Sequence, residues 1–347
     1  MVTYQPDNSY YKKLSILGEC CNGLAIVYLA KHVPSQKLVA LKKFNMDKAK
    51  HANLIQQEVI LTRQLQHSNI LPYFVSYVID QEVCVISPLM EFGSCRDLLN
   101  THFIEGLPES AIAIIIKDVL EGLDYIHKKG FIHRALRASH ILISQTGHVC
   151  LSGLRYSCPI IYNGKWQKQI HSFPESTMEN LNWLGPEVLE QNLQGYNEKS
   201  DIYSIGVVLC ELANGTEPFA GMPITLMLIE KVRGAAPQLL DSATIPIEEN
   251  DEINGYTLNQ ANRRFSEGLH QIAALCLQRE PSHRPSASQL LTHSYMKVHR
   301  RGLSLPHLLK PAIPLSDKVA YNPDEVADLE TIQRLNDLEI SSYEWNF

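Results

Sequence analysis

Apolar positions in the first quarter of the chain alternate with polar ones over short spans. LSIL (14–17), AIVYLA (25–30), LVALKKF (38–44), YFVSYVI (73–79) and EVCVISPLM (82–90) read as strands separated by turn signals. One segment, HANLIQQEVILTRQLQ (51–66), carries a helical period instead. The pattern predicts a small, mostly antiparallel sheet with one helix. From about Asp97 the period becomes helical, as in ESAIAIIIKDVLEGLDYIHKKG (109–130) and SDIYSIGVVLCELANG (200–215), with short strands only around HILIS (140–144) and HVCLS (148–152). A β-rich lobe followed by a larger α-rich lobe makes the cleft between them the natural ligand site.

Composition narrows the class. Of 347 residues, 45% are apolar and 20% charged, the balance of a globular chain. No apolar run approaches the ~18 residues of a membrane span, and the first residues, MVTYQPDNSYYKK, show no secretory signal. The eight cysteines form no CxxC pair and read as reduced thiols. Net charge is −6, which argues against general nucleic-acid binding. Residues 317–347 hold eight acids and two bases, so their −6 equals the charge of the whole chain and residues 1–316 are neutral. Three prolines in GLSLPHLLKPAIPLSDK (302–318) precede that shift. The body is expected to end near 300, with a separate acidic tail at 301–347.

Six ordered motifs resemble a protein kinase. Val39-Ala40-Leu41-Lys42 resembles the VAIK strand, fifteen residues after Val27 of a glycine-bearing loop. Glu58 lies in the following helix, nine residues before His67. His133-Arg134 stands in the place of HRD, and Gly185-Pro186-Glu187 in that of APE. Ser200-Asp201-Ile202-Tyr203-Ser204 with Gly206 matches the buried central helix, and Arg284-Pro285 the late arginine. The resemblance implies an α+β, two-lobed protein-kinase-like fold over 10–300. Its small β-rich N-lobe would span about 10–92 and its larger α-rich C-lobe about 93–300. It also implies a buried Glu187–Arg284 ion pair and a packing role for His133.

The chemistry of that fold is missing. Phosphoryl transfer uses one carboxylate to orient the attacking hydroxyl, and an Asp and an Asn to hold Mg²⁺. The base position falls on Ala135, the asparagine becomes His140, a poor ligand for a hard cation, and DFG becomes Gly153-Leu154-Arg155. The nucleotide side is less damaged. Gly18 keeps its place, Val27 follows nine residues later, and Cys20 replaces the second glycine. This loop reads either as a phosphate cradle or as a plain hairpin turn. Lys42 and Glu58 read as an ion pair that lets Lys42 reach phosphate, or as a salt bridge tying helix to sheet. Arg155 either neutralises phosphate charge where Mg²⁺ is missing or is a solvated loop arginine. The vicinal Cys20-Cys21 reads as small apolar filling of a turn rather than a redox pair. His127, His133 and His140 lack a metal-binding spacing.

HRALRASHILIS, LSGLR, WLGPEVLEQNLQGY, KSDIYSIG and the terminal Trp345-Asn346-Phe347 together resemble the STRAD family of pseudokinase adaptors. The resemblance runs over most of the chain. It implies a catalytically inactive subunit that binds and allosterically activates a serine/threonine kinase of the liver kinase B type, together with an armadillo/HEAT-like helical-repeat scaffold. The Trp345 and Phe347 rings would dock on that scaffold, with Asn346 where the family's ending has Glu. ATP is the implied cofactor, bound without Mg²⁺ around Gly18, Cys20, Val27, Ala40, Lys42, Glu58 and Arg155. No metal, nucleic acid or membrane is expected, and the implied location is the cytoplasm with shuttling to the nucleus. The tail supports docking independently. Asn322-Pro323-Asp324-Glu325 starts a helix, and Val326, Leu329, Ile332, Leu335 and Leu338 recur at its period. The alternative is that this helix folds back onto the chain's own large lobe. Two other functions stay open, an unorthodox active serine/threonine protein kinase and a pure scaffold with an empty nucleotide cleft.

Overall fold

The computed structural model describes residues 2–20, 23–46, 52–173, 177–190, 194–245, 260, 262–298 and 304–315. The expected tail helix, the docking residues Trp345 and Phe347, and Cys21 lie outside the described residues. The chain divides into two compact units. One contains residues up to 64, 71–91 and 313–315, and the other contains 65–70 and 92–312.

In the smaller unit the alternating segments form β1 (Tyr11–Cys20), β2 (Ala25–His32), β3 (Lys37–Asn45), β4 (Val75–Ile79) and β5 (Glu82–Pro88), with helix α1 (Ala52–Gln64) between β3 and β4. The order is β1-β2-β3-β5-β4, antiparallel throughout. The period of two divides β3 between two apolar layers. Val39 and Leu41 join Ala30, Tyr77 and Ile86 on one face. Phe44 joins Ala25, Val85 and Ile55 of α1 on the other.

The larger unit holds helices α2 (Cys95–Thr101), α3 (Glu109–Lys128), α4 (Pro186–Glu190) and α5 (Lys199–Asn214) and is built on the two long ones, α3 and α5. Helix α3 (Glu109–Lys128) buries Ile112, Ile115, Ile116, Val119, Leu123 and Ile126, a stripe at helical spacing. Helix α5 (Lys199–Asn214) is buried from Ser200 to Asn214. It stops at Gly215, whose φ of 79° is left-handed and whose Cα lies against Ile104 O so closely that a Cβ would sit 2.0 Å away. After β6 (Gly93–Ser94) and β7 (Phe131–Ile132), the short strands β8 (Ile141–Ile143) and β9 (Val149–Leu151) lie where expected and form a small sheet with β6. The expectation of strands only there is too narrow, because Phe131–Ile132 pairs with Cys158–Pro159, and Ile161–Tyr162 with Lys165–Trp166. Past residue 300 the chain continues on this unit as far as Ala312. Leu305 and Leu309 are buried, and Pro306 fills the space over Gly147.

Two buried charges hold this unit together. Arg284 donates from Nη1 and Nη2 to both carboxylate oxygens of Glu187 at 2.6 and 2.9 Å, the ion pair the resemblance implied. Lys231, on helix α6 (Ile224–Arg233), is fully buried, and its ammonium donates to the carbonyls of Leu181, Asn182 and Leu184 at 2.8–3.1 Å. Burial pulls the Lys231 pKa down to about 7, against a smaller upward pull from Glu187. Between about 7 and the ordinary 10.5 the unfolded chain therefore binds a proton that the folded chain releases. Stability should rise with pH across that window, by at most about 1.4 kcal/mol per pH unit. Chemical denaturation at pH 7, 8 and 9 should show the wild type gaining on Lys231→Met. Parallel pH profiles for the two proteins would contradict the titration.

Candidate functional site

In the smaller unit the sheet register puts the nucleotide candidates in one row. Gly18 on β1 pairs with Val27 on β2, and Val27 pairs with Lys42 on β3. Ala40 lies two residues before Lys42, on the same face of β3. Bulges between Lys13 and Ser15 and between Ile16 and Gly18 bring Gly18 opposite Val27. Strand β1 then continues to Cys20, which pairs with Ala25. Cys20 is thus the last residue of a strand, packed on the Phe44–Ile55 layer, and not a residue of the turn. Gly23 takes the left-handed turn position at φ 75°.

Lys42 Nζ donates to Glu58 Oε1 at 2.7 Å. Glu58 projects from α1 on the face that also buries Ile55, Leu61 and Thr62, and its side chain is only 3% exposed. Such a burial is costly without donors, and the hydroxyl of Tyr73 supplies a second one at 2.5 Å to the same oxygen. Burial, and then the Glu58 carboxylate, raise the Tyr73 phenol well above its ordinary range, so it stays a donor. The Lys42 ammonium also lies 4.5 Å from the centre of the Phe44 ring. Tyr73 is a member of this site that the sequence did not reveal, since nothing in YFVSYVI marks it apart from a strand aromatic.

In the larger unit the catalytic-loop position is hung on α5. Asp201 accepts from His133 N at 2.7 Å, Arg134 N at 2.8 Å and His127 Nε2 at 2.8 Å. Burial would raise this carboxyl, but the hydrogen bonds and charges of His127 and His133 outweigh it and hold its pKa below the usual range. His133 is fully buried and bonds Ser152 O, the packing role expected of it. The loop therefore keeps its shape, while Ala135 offers only a buried methyl where a base would stand.

The two lost metal positions are in contact. His140 Nδ1 donates to Ala135 O at 2.6 Å, which fixes the hydrogen on Nδ1 because a carbonyl can only accept. Burial first, and then the Arg137 charge, push the His140 pKa well below its ordinary value, so the ring is neutral. That ring lies over Gly153. A Cβ at Gly153 would sit 2.6 Å from Nδ1 and 2.8 Å from Cγ and Cε1, and the backbone there has φ 83°. The imidazole thus excludes an aspartate at 153, and the two losses are one steric arrangement.

Of the two readings of Arg155, the structure rules out the solvated loop arginine. It is 5% exposed, donates from Nη2 to Glu179 Oε2 at 2.8 Å and stacks on Tyr156. Arg137 donates to Glu179 O at 2.9 Å and lies 3.6 Å from the same carboxylate, so two guanidinium groups share one acid. Glu179 was not singled out in the sequence, because an ion pair spanning 24 residues leaves no local spacing to read.

Comparison with known proteins places these features. The protein kinase domain model matches residues 11–296. The STE20-related kinase adapter protein alpha of Mus musculus is 40% identical over 373 aligned residues, covering 99% of this chain and 86% of that protein. The alpha protein of Gallus gallus is 41% identical over 94% of this chain and 90% of its own. The beta protein of Homo sapiens is 36% identical over 91% and 84%. The chain belongs to the STE20-related kinase adapter family. Among the described residues, no helix is long and apolar enough to cross a membrane.

The His140–Gly153 contact makes a quantitative prediction. Gly153→Asp should destabilise by about 2 kcal/mol through overpacking and left-handed backbone strain. Adding His140→Asn should recover about 1 kcal/mol of that loss, a coupling read by a double-mutant cycle in urea. Strict additivity would show that the ring does not fill the aspartate's space.

Proposed function

We propose that this chain is a catalytically inactive pseudokinase adaptor that binds ATP without Mg²⁺ and allosterically activates a partner serine/threonine kinase. The observation that carries the reading is the pairing of the His140 ring with Gly153, which leaves no oxygen ligand at either metal position. Beside it, Ala135 has no group to orient a hydroxyl. Lys42 carries its positive charge on the sheet row of Val27 and Gly18, paired with Glu58, where phosphate oxygens would meet an ammonium donor. Arg155 and Arg137 both reach the Glu179 carboxylate and bring two guanidinium groups to this position. The name kinase adapter borne by the relatives supports a kinase partner, and the resemblance points to the liver kinase B type. The scaffold is proposed as an armadillo/HEAT-like repeat protein that receives Trp345 and Phe347.

Purified protein should show no Mg²⁺-dependent phosphotransfer above buffer background. ATP without Mg²⁺ should raise the melting temperature, since a hundredfold excess over Kd stabilises by about 2.7 kcal/mol, and Lys42→Ala should reduce the shift. The same protein should raise the turnover of the partner kinase on a peptide. Phosphotransfer by the chain alone that disappears in Lys42→Ala would favour the active-kinase reading. No shift at millimolar ATP would favour an empty scaffold.

The tail has its own test. Two rings at a chain end each contribute about 1.5–3 kcal/mol when buried in a partner. Changing Trp345 and Phe347 together to Ala should weaken scaffold binding at least tenfold by calorimetry, with melting temperature and ATP binding unchanged. A loss of stability instead would mean that the tail folds on its own chain.

A further inference from the structure

The arginine after His133 does more than follow a motif. Asp201 fastens its backbone amide, and its φ of 61° is a left-handed conformation that a side-chain-bearing residue adopts at a cost. That conformation accompanies a guanidinium that gathers three oxygens from distant points of the unit. Arg134 Nε donates to Tyr156 O at 2.6 Å. Nη1 donates to the Tyr196 hydroxyl at 2.9 Å and reaches Ser172 O at 3.5 Å. The Tyr196 hydroxyl in turn donates to Ser172 O at 2.5 Å. Tyr156 and Ser172 bound a strap of the chain, and one guanidinium–phenol pair holds both of its ends.

The pair is itself rigid. Tyr196 is 5% exposed in a core with Ile132, Ile160 and Leu181. Its backbone exchanges two hydrogen bonds with Ile170, at 2.7 and 2.9 Å. Between the fixed ends, Ile160 N donates to Gly130 O, and the Ile161–Trp166 hairpin turns through Asn163 and Gly164, both left-handed. That hairpin leaves Tyr162 and Trp166 69% and 58% exposed.

In kinase activation loops, new arginine–phosphate pairs order the segment after phosphorylation. Here the acceptors on Arg134 are two backbone carbonyls and a phenol, all neutral and all supplied by the fold. We propose that Arg134 and Tyr196 form a phosphate-independent latch that holds residues 157–172 in their ordered course. The unphosphorylated chain then presents the Tyr162–Trp166 hairpin without any modification. The inference rests on this geometry alone and stands whether or not the chain binds ATP or activates a kinase.

Hydrogen exchange on the full-length, phosphatase-treated protein tests it. Peptides covering 157–173 should stay protected in the wild type. Tyr196→Phe removes one hydroxyl and no packing volume, and should speed their exchange about tenfold, the effect of one to two hydrogen bonds. Arg134→Lys keeps the charge but cannot span the three oxygens, and should loosen the same peptides. Peptides from 199–214 should not change in either variant. Wild-type exchange at the unprotected rate, or no change in Tyr196→Phe, would overturn the latch. Loosening that extends equally to 199–214 would also overturn it, by reducing the pair to general stability.

Discussion

The structure of the larger unit depends on two carboxylates that helix α5 carries into the interior. Asp201 is fully buried and Glu211 is 1% exposed, and neither ion is tolerable there without donors. Each takes backbone amides from one stretch of chain, residues 133–138. Asp201 takes the amides of His133 and Arg134, while Glu211 takes the amide of Ala138, the Trp183 indole and Arg96. The catalytic-loop segment is therefore pinned at both ends by the needs of α5 and not by anything at position 135. This fixes the course of the loop although position 135 is an alanine. Burial pushes the Glu211 pKa up, against the opposing pull of Arg96, so this clamp is a constraint on geometry before it is a source of stability.

How much of this was legible follows from the range of each interaction. Strands and helices were readable because burial acts on every second or every third to fourth residue. The Glu187–Arg284 pair was readable through the family resemblance that named both positions. Lys42 and Glu58 were readable as a pair through the same kinase resemblance, on a strand and a helix that each showed their period. The His140–Gly153 contact was not, because two residues thirteen apart in sequence meet only after β8 and β9 fold back. Lys231 misleads any pattern reading, since a lysine on an amphipathic helix is ordinarily solvated, and here three carbonyls replace water. The 161–166 hairpin had a local signal, Asn163-Gly164, the preferred two-residue turn. It stands among residues that otherwise read as loop.

The buried ion pairs of the two units answer to different demands. A buried pair is often no more stabilising than apolar residues of the same volume, so stability alone does not account for Lys42–Glu58. Glu187–Arg284 is fully enclosed, with both Nη groups bonded to the carboxylate and carbonyls of Gln278, Arg279 and Lys199 taking the remaining donors, and its work ends within the core. Lys42 differs in that its side chain is 19% exposed and its partner carboxylate is also held by Tyr73. Tyr73 remains a donor to Glu58 Oε1 if Lys42 turns part of its hydrogen bonding toward another anion. The Lys42 ammonium, in line with Val27 and Gly18 on the sheet and partly open to solvent, thus stands apart from the enclosed Arg284 guanidinium, whose donors are all taken within the core.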